Sequence, residues 1–310
     1  MNLMATTTTM MNTKRGTLIV VVGPTGSGKT ALAITLAQHY CAPIISTDSR
    51  QFFRGMAIGT AQPTAEELAA AQHYFIADRE VEDDNNCGRY ETEALKLLDR
   101  LFEQHEYVVA VGGSGLYIQA LCDGMDNLPE ADDEVRDELQ RRLNSEGLEA
   151  LVAQLRELDP AYAEVVDTQN PARVMRALEV CITTGKPYSE QRSGERKERP
   201  FNIVKIGTDM PREVLYERIN RRVDMMVAEG LVEEARRLYP KRHLNALQTV
   251  GYRELFDHFD GKCSMEEAIE LIKRNSRRYA KRQMTWFRRD ESIGWFPPKD
   301  IDDIIAFIDR

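Results

Sequence analysis

Gly23-Pro24-Thr25-Gly26-Ser27-Gly28-Lys29-Thr30 fits the pattern G-x-x-x-x-G-K-[ST] at every position. A loop of this composition turns successive backbone N–H groups inward around a phosphate, with Lys29 adding a full charge and the Thr30 hydroxyl a ligand for Mg²⁺. A diphosphate or triphosphate is the expected ligand, held by Gly23, Pro24, Thr25, Gly26, Ser27, Gly28, Lys29 and Thr30. The motif does not say which group moves. Nucleoside triphosphates are its usual guests, so a small-molecule or nucleotide kinase is one reading. Kinases and ATPases of this kind hold Mg²⁺ with an acid at the end of a neighbouring strand. Here the most apolar candidate strand, Tyr107-Val108-Val109-Ala110-Val111, runs into Gly112-Gly113 instead. The acid at a strand end near the loop is Asp48, in the triplet Thr47-Asp48-Ser49. Taken alone, Asp48 reads equally as a helix N-cap or a turn aspartate.

These residues need elements that bring them together. Residues 17–22 (TLIVVV) form a continuous β-branched run, the mark of a buried parallel strand. The phosphate loop follows it and opens a helical stretch, ALAITLAQHY. Pro43–Ser46 reads as a second strand and Tyr107–Val111 as a third, with a helix from Leu116. Alternating strands and helices predict an α/β fold, a P-loop NTPase-like parallel sheet flanked by helices. In such sheets ligands bind beyond the carboxyl ends of the strands, so the glycine loop, the Thr-Asp-Ser triplet and the Gly-Gly pair are expected in one crevice. Between residues 123 and 200 strand patterns vanish and helical ones take over, including Asp132–Leu143 and Leu148–Leu158. Asn170-Pro171 reads as an N-cap with proline in the first turn, and Gly185 closes that helix. This predicts an all-helical insertion domain over 123–200, inside a core domain of 17–122 plus 201–310. Residues 201–208 return to the sheet, and two or three helices are expected to follow.

The stretch from Ile45 through Asp48-Ser49-Arg50-Gln51 to Gly55 and Ile58-Gly59-Thr60-Ala61 closely resembles a sequence block of bacterial tRNA dimethylallyltransferases. Further blocks resemble that family in order along nearly the whole chain. They are Val111–Tyr117, Asn170–Glu179, Arg218–Met226 followed by Gly230-Leu231, Gln248–Arg253 and Lys281–Arg288. The resemblance implies transfer of a dimethylallyl group from dimethylallyl diphosphate to N6 of adenosine 37, in the anticodon stem-loop of tRNAs reading codons that begin with U. It implies that Asp48 is the general base for the N6 amine. Lys29, Mg²⁺ on Thr30, and Arg222 would neutralise the departing diphosphate. The tRNA contacts implied are Asp48, Ser49, Arg50, Gln51, Ser114, Arg136, Arg173, Arg176, Gln248, Gly251, Tyr252 and Arg253. Phe52-Phe53, Ala61-Gln62-Pro63 and Ala172 depart from the family's habit, and at Gln62 a positive charge is missing. The competing readings are the kinase, an isopentenyltransferase acting on free AMP or ADP, and a nucleotide switch without catalysis.

The 310 residues carry a net charge of −9, which by itself disfavours a nucleic-acid partner. Distribution matters more: Lys273–Arg289 holds eight basic residues (Lys273, Arg274, Arg277, Arg278, Lys281, Arg282, Arg288, Arg289) and no acid. In that segment Ile272, Tyr279 and Trp286 recur every seven residues, which predicts one buried stripe that includes Trp286; aromatics interleaved with arginine also admit base stacking, with the flanking basic residues as phosphate contacts. Five scattered cysteines signal neither a disulfide framework nor a zinc site. No apolar run is long enough to span a membrane. A cytoplasmic monomer with a disordered tail over residues 1–16 is the expectation.

Overall fold

The computed structural model describes residues 16–126, 128, 129 and 132–310. The tail expected over 1–16 falls, Gly16 aside, outside the described residues. Two compact units are present, one formed by residues up to Asp123 together with Glu198–Arg310, the other by Gly124–Lys197.

The first unit begins with β1 (Thr17–Val22), α1 (Lys29–His39), β2 (Ile44–Ser46), α2 (Ala65–Ala70), β3 (His73–Tyr74), α3 (Cys87–Leu101), β4 (Tyr107–Gly112) and α4 (Gly115–Asp123). The second unit consists of α5 (Asp133–Glu146), α6 (Leu148–Leu158), α7 (Pro160–Val165) and α8 (Pro171–Thr184), besides one short 3₁₀ turn. The chain then returns to the first unit through β5 (Asn202–Thr208), α9 (Arg212–Ala228), α10 (Leu231–Leu238), α11 (Tyr252–Phe259), α12 (Met265–Phe287), β6 (Ile293–Phe296) and α13 (Ile301–Ile308).

The strands form one sheet in the order β3-β2-β4-β1-β5-β6, all parallel. The central β1 shows why its sequence is apolar throughout. Leu18, Val20 and Val22 pack into the core on one face, and Ile19 and Val21 into the core on the other. Each such side chain stabilises the fold by roughly 1.5–3 kcal/mol. The α/β class expected from the alternating pattern is therefore the class observed. A separate core joins α9 to α12, with Phe53 and Met56 inserted into it.

The helical unit has its own core of Leu139, Leu151, Leu155, Val174, Ala177 and Leu178. Its α8 is delimited by local chemistry. The Asn170 side chain accepts the Arg173 N–H, Pro171 stands in the first turn, and Gly185 ends the helix in the left-handed region at φ 67°.

Two expectations need correction. After β5 the chain forms five α-helices and the edge strand β6, not two or three helices. Three of those helices have eight residues each, too few turns to show a period. The stripe on α12 also differs. Ala268, Ile272, Ala280, Gln283 and Phe287 are its buried positions, whereas Trp286 is 38% exposed. Seven residues fall about 20° short of two full helical turns, so a strict seven-residue repeat drifts off the core face. Phe287 takes the core place that Trp286 was expected to fill.

Candidate active site

The phosphate loop joins the end of β1 to the start of α1. Gly26 and Gly28 sit at φ 80° and 92°, left-handed conformations that a side chain would disfavour. Behind the loop, the Ser27 and Thr208 hydroxyls lie 2.6 Å apart, which ties it to the end of β5. Lys29 Nζ donates to the Pro24 carbonyl at 3.0 Å, across the mouth of the loop. Gln283 of α12 holds the outer side: its Oε1 accepts the Thr25 N–H at 2.9 Å, and its Nε2 donates to the Gly113 carbonyl at 2.8 Å. Arg222 of α9 donates to the Thr25 hydroxyl at 3.4 Å.

Asp48 stands just beyond β2. Its Oδ1 accepts the Arg50 N–H at 2.9 Å, which closes the turn. Among the described residues its other oxygen has no hydrogen-bond partner. The turn is braced from both sides. The Asp48 N–H donates to Ser46 Oγ at 3.2 Å, and Ser46 Oγ donates in turn to Gln51 Oε1 at 3.2 Å. Ser114 Oγ accepts the Ser49 N–H at 2.9 Å. Arg50 reaches away to the Asn245 carbonyl at 2.7 Å.

Thr25, Lys29, Thr30, Asp48 and Arg222 line one cavity of about 720 Å³. Within it, charges act on one another. Burial pulls the Lys29 pKa down to about 8, with the Asp48 carboxylate opposing that fall and Arg222 adding to it. Burial likewise lowers Arg222 against the pull of Asp48, and Arg50 against the pull of Tyr117 and Asp48. Burial and then the Asp48 charge push the Tyr279 phenol up to about 12. The arrangement is a cationic seat for a multiply charged anion, facing a carboxylate able to take a proton.

The cavity gathers most of the residues expected of it. Ser49, Arg50 and Gln51 line it beside Asp48, and Gln248, Gly251 and Arg253 line its far wall. Ser114 is buried behind the Asp48 turn. Gly23, Pro24, Gly26, Ser27 and Gly28 shape the loop without appearing among the lining residues. Tyr252 is corrected: it is 0% exposed and its hydroxyl donates to Glu234, so it presents no surface to an RNA. Arg136, Arg173 and Arg176 belong to the helical unit. There Arg136 and Arg176 both pair with the buried Glu179, at 3.4 and 3.1 Å, while Arg173 is exposed.

Sequence reasoning missed Gln283, Thr208 and the cavity-lining place of Tyr279. Gln283 and Thr208 bond to partners some 258 and 181 residues away, for which no local pattern exists. The departures from the family's habit are also accounted for in part. Phe52 and Phe53 are core residues. Gln62 donates to the Gln51 and Phe53 carbonyls at 3.0 and 2.8 Å and so ties its own loop. Nothing in the structure explains Ala172.

Comparison with known proteins adds an independent line. The family model described as IPP transferase matches residues 51–290. tRNA dimethylallyltransferase 1 of Phocaeicola vulgatus is 50% identical over 292 residues, 94% of this chain and 97% of that protein. The tRNA dimethylallyltransferase of Cytophaga hutchinsonii is 50% identical over 292 residues, 94% of this chain and 96% of its own. Among solved structures, the full-length tRNA isopentenylpyrophosphate transferase of Bacillus halodurans superposes with a TM-score of 0.70 at 40% identity, covering 94% of this chain and 95% of that one. A eukaryotic dimethylallyltransferase acting on tRNA gives 0.77 at 25% identity, over 93% of this chain and 75% of that one.

Proposed function

The chain belongs to the IPP transferase family, and from that premise we propose that it transfers a dimethylallyl group from dimethylallyl diphosphate to tRNA. The acceptor is N6 of adenosine 37 in tRNAs reading codons that begin with U. The products are N6-(dimethylallyl)adenosine and diphosphate. The observation that carries this reading is the shared cavity, in which a complete phosphate loop faces Asp48.

In the reaction a bond forms between N6 of the adenine and the first carbon of the allyl group. The bond from that carbon to the diphosphate oxygen breaks, and diphosphate leaves with the electron pair. An exocyclic amine is a weak nucleophile, because its lone pair is delocalised into the ring. Asp48 offsets this by accepting the amine proton as the new bond forms. An allylic carbon tolerates developing positive charge, so stabilising the leaving anion lowers the barrier further. Lys29, Arg222 and the N–H groups at the head of α1 supply that stabilisation. Asp48 also keeps the Lys29 proton in place against the pull of burial.

Mg²⁺ fits the residues present. Among the described residues no group of three acid, His or Cys side chains could hold a cation alone. Mg²⁺ needs no such cage, since it keeps several waters and leans on phosphate oxygens. The Thr30 hydroxyl, on the cavity wall at the start of α1, is the expected protein ligand. A bound Mg²⁺ would neutralise charge on the leaving diphosphate. The tRNA side of the cavity is the wall formed by Ser49–Gln51, Gln248–Gly251 and Arg253. No described helix is long and apolar enough to cross a membrane.

The role of Asp48 is tested by Asp48→Ala. Turnover is expected to fall by about 10²–10⁴, while calorimetry, run acidic enough to keep Lys29 charged without the Asp48 carboxylate beside it, shows dimethylallyl diphosphate binding retained. A variant that turns over at nearly the wild-type rate would remove Asp48 from the mechanism. One that loses diphosphate binding in parallel would reassign it to the phosphate site.

A further inference from the structure

Glu234 on α10 is 3% exposed. Burying a carboxylate costs free energy unless donors replace the water it gives up. Three donors converge on it. Its Oε2 accepts the Ile58 N–H at 3.0 Å, and its Oε1 accepts the Gly59 N–H at 2.8 Å and the Tyr252 hydroxyl at 2.7 Å. Burial, then the neighbouring Glu234 charge, hold the Tyr252 pKa far above the usual phenol range, so the phenol remains a donor. Gly59 permits the close fit: a Cβ there would meet the Tyr252 hydroxyl oxygen at 2.5 Å.

The donors come from one loop and from Tyr252 at the start of α11, and that loop and the one that enters α11 both line the cavity. Gly59, Thr60 and Ala61 lie on one wall, Gln248 to Gly251 on the other. The first loop leads to the reacting centre. Gln51 Nε2 donates to the Ala61 carbonyl at 2.8 Å, Gln51 Oε1 accepts from Ser46 Oγ, and Ser46 Oγ accepts the Asp48 N–H. The second loop ends at Tyr252 and is tied again one turn later. There Glu254 accepts the Gly251 N–H at 2.8 Å and the Asn275 amide at 2.6 Å. Glu234 has no hydrogen bond to the phosphate loop.

We infer that Glu234 is a positioning residue for the acceptor side of the reaction, a buried clamp that fixes the Ile58–Ala61 and Gln248–Tyr252 loops against one another. The inference rests on the tRNA prenylation reading above. It separates the two substrates: loosening the clamp disturbs the tRNA and the aim of Asp48, and leaves the seat of dimethylallyl diphosphate as it was.

The test is steady-state kinetics with each substrate varied in turn, together with thermal melts, on wild type, Glu234→Gln and Tyr252→Phe. Glu234→Gln keeps the volume but turns one acceptor into an amide donor facing a backbone N–H. Its kcat/KM for tRNA is expected to fall about ten-fold or more, and that of Tyr252→Phe about three-fold, since a hydrogen bond to a buried charge is at stake. The KM for dimethylallyl diphosphate should stay within about two-fold of wild type in both. If Glu234→Gln does not fold, Tyr252→Phe decides, because its ring remains packed. Values for tRNA unchanged in both variants would overturn the inference. So would a KM for dimethylallyl diphosphate that rises as much as the KM for tRNA, accompanied by a lower melting temperature, the pattern of a merely structural role. A wild type inactive on tRNA is a different failure, which overturns the functional reading and takes the inference with it.

Discussion

Lys29 lies under opposing influences whose balance is set by pH. Burial lowers its pKa to about 8 in the free protein, with Asp48 resisting. Below pH 8 the ammonium presents a full charge to an incoming diphosphate. As pH rises through 8 the proton is lost and the attraction goes with it. The KM for dimethylallyl diphosphate is therefore expected to climb above about pH 8, while Lys29→Met binds weakly with a flat profile over the same range. A wild-type profile flat through pH 9.5, to take roughly 1.5 units beyond that pKa, would show that another group supplies the charge. At Asp48 the sequence permitted two readings, a turn residue and a functional acid, and the structure shows the turn and leaves room for the acid. One carboxylate oxygen closes the turn through the Arg50 N–H, and the residue lines the cavity. Spacing alone could not separate the two readings, because closing the turn occupies only one of the two oxygens.

The helix α12 shows how an element can serve several ends at once. One face enters the core through Ala268, Ile272, Ala280 and Phe287. Tyr279, Arg278 and Arg282 face the cavity. Gln283, buried between these faces, bridges the phosphate loop to Gly113 at the end of β4. Replacing it by leucine would strand the Thr25 N–H and the Gly113 carbonyl, at a cost of about 1–3 kcal/mol. Gln283→Leu should therefore raise the KM for dimethylallyl diphosphate by roughly ten-fold and lower the melting temperature by several degrees. A variant with an unaltered KM would mean that the loop keeps its shape without this bridge. Elements of this kind were unevenly legible. The β-branched runs of β1, β4 and β5 declared themselves, and so did α8 through Asn170, Pro171 and Gly185. The eight-residue α10, α11 and α13 did not, nor did β6, because each is too short for a period. Trp286 misled because a seven-residue repeat approximates, and does not equal, two turns of helix.

At the scale of the whole molecule, a protein of net charge −9 keeps a basic wall around its cavity, with Arg50, Arg222, Arg253, Arg274, Arg278 and Arg282 all lining it. Fields of exposed charges fade within about 8 Å at physiological salt. An anionic substrate at the cavity therefore meets the local arginines more strongly than the distant acids. Fold class was readable from alternating patterns, and the phosphate site from one contiguous motif. The supports of the site were not, because Gln283 and Thr208 act through partners far away in the chain. The proposed transfer of an allylic carbon from the phosphate loop to a tRNA amine can be read directly by mass spectrometry of the nucleosides of unmodified tRNA. The tRNA is incubated with the purified protein, Mg²⁺ and dimethylallyl diphosphate, beside a second arm holding ATP and small acceptors. The expected result is the gain of one C5H8 unit on an adenosine of the anticodon loop, with diphosphate released. An RNA left unmodified while ATP is consumed in the second arm would contradict it.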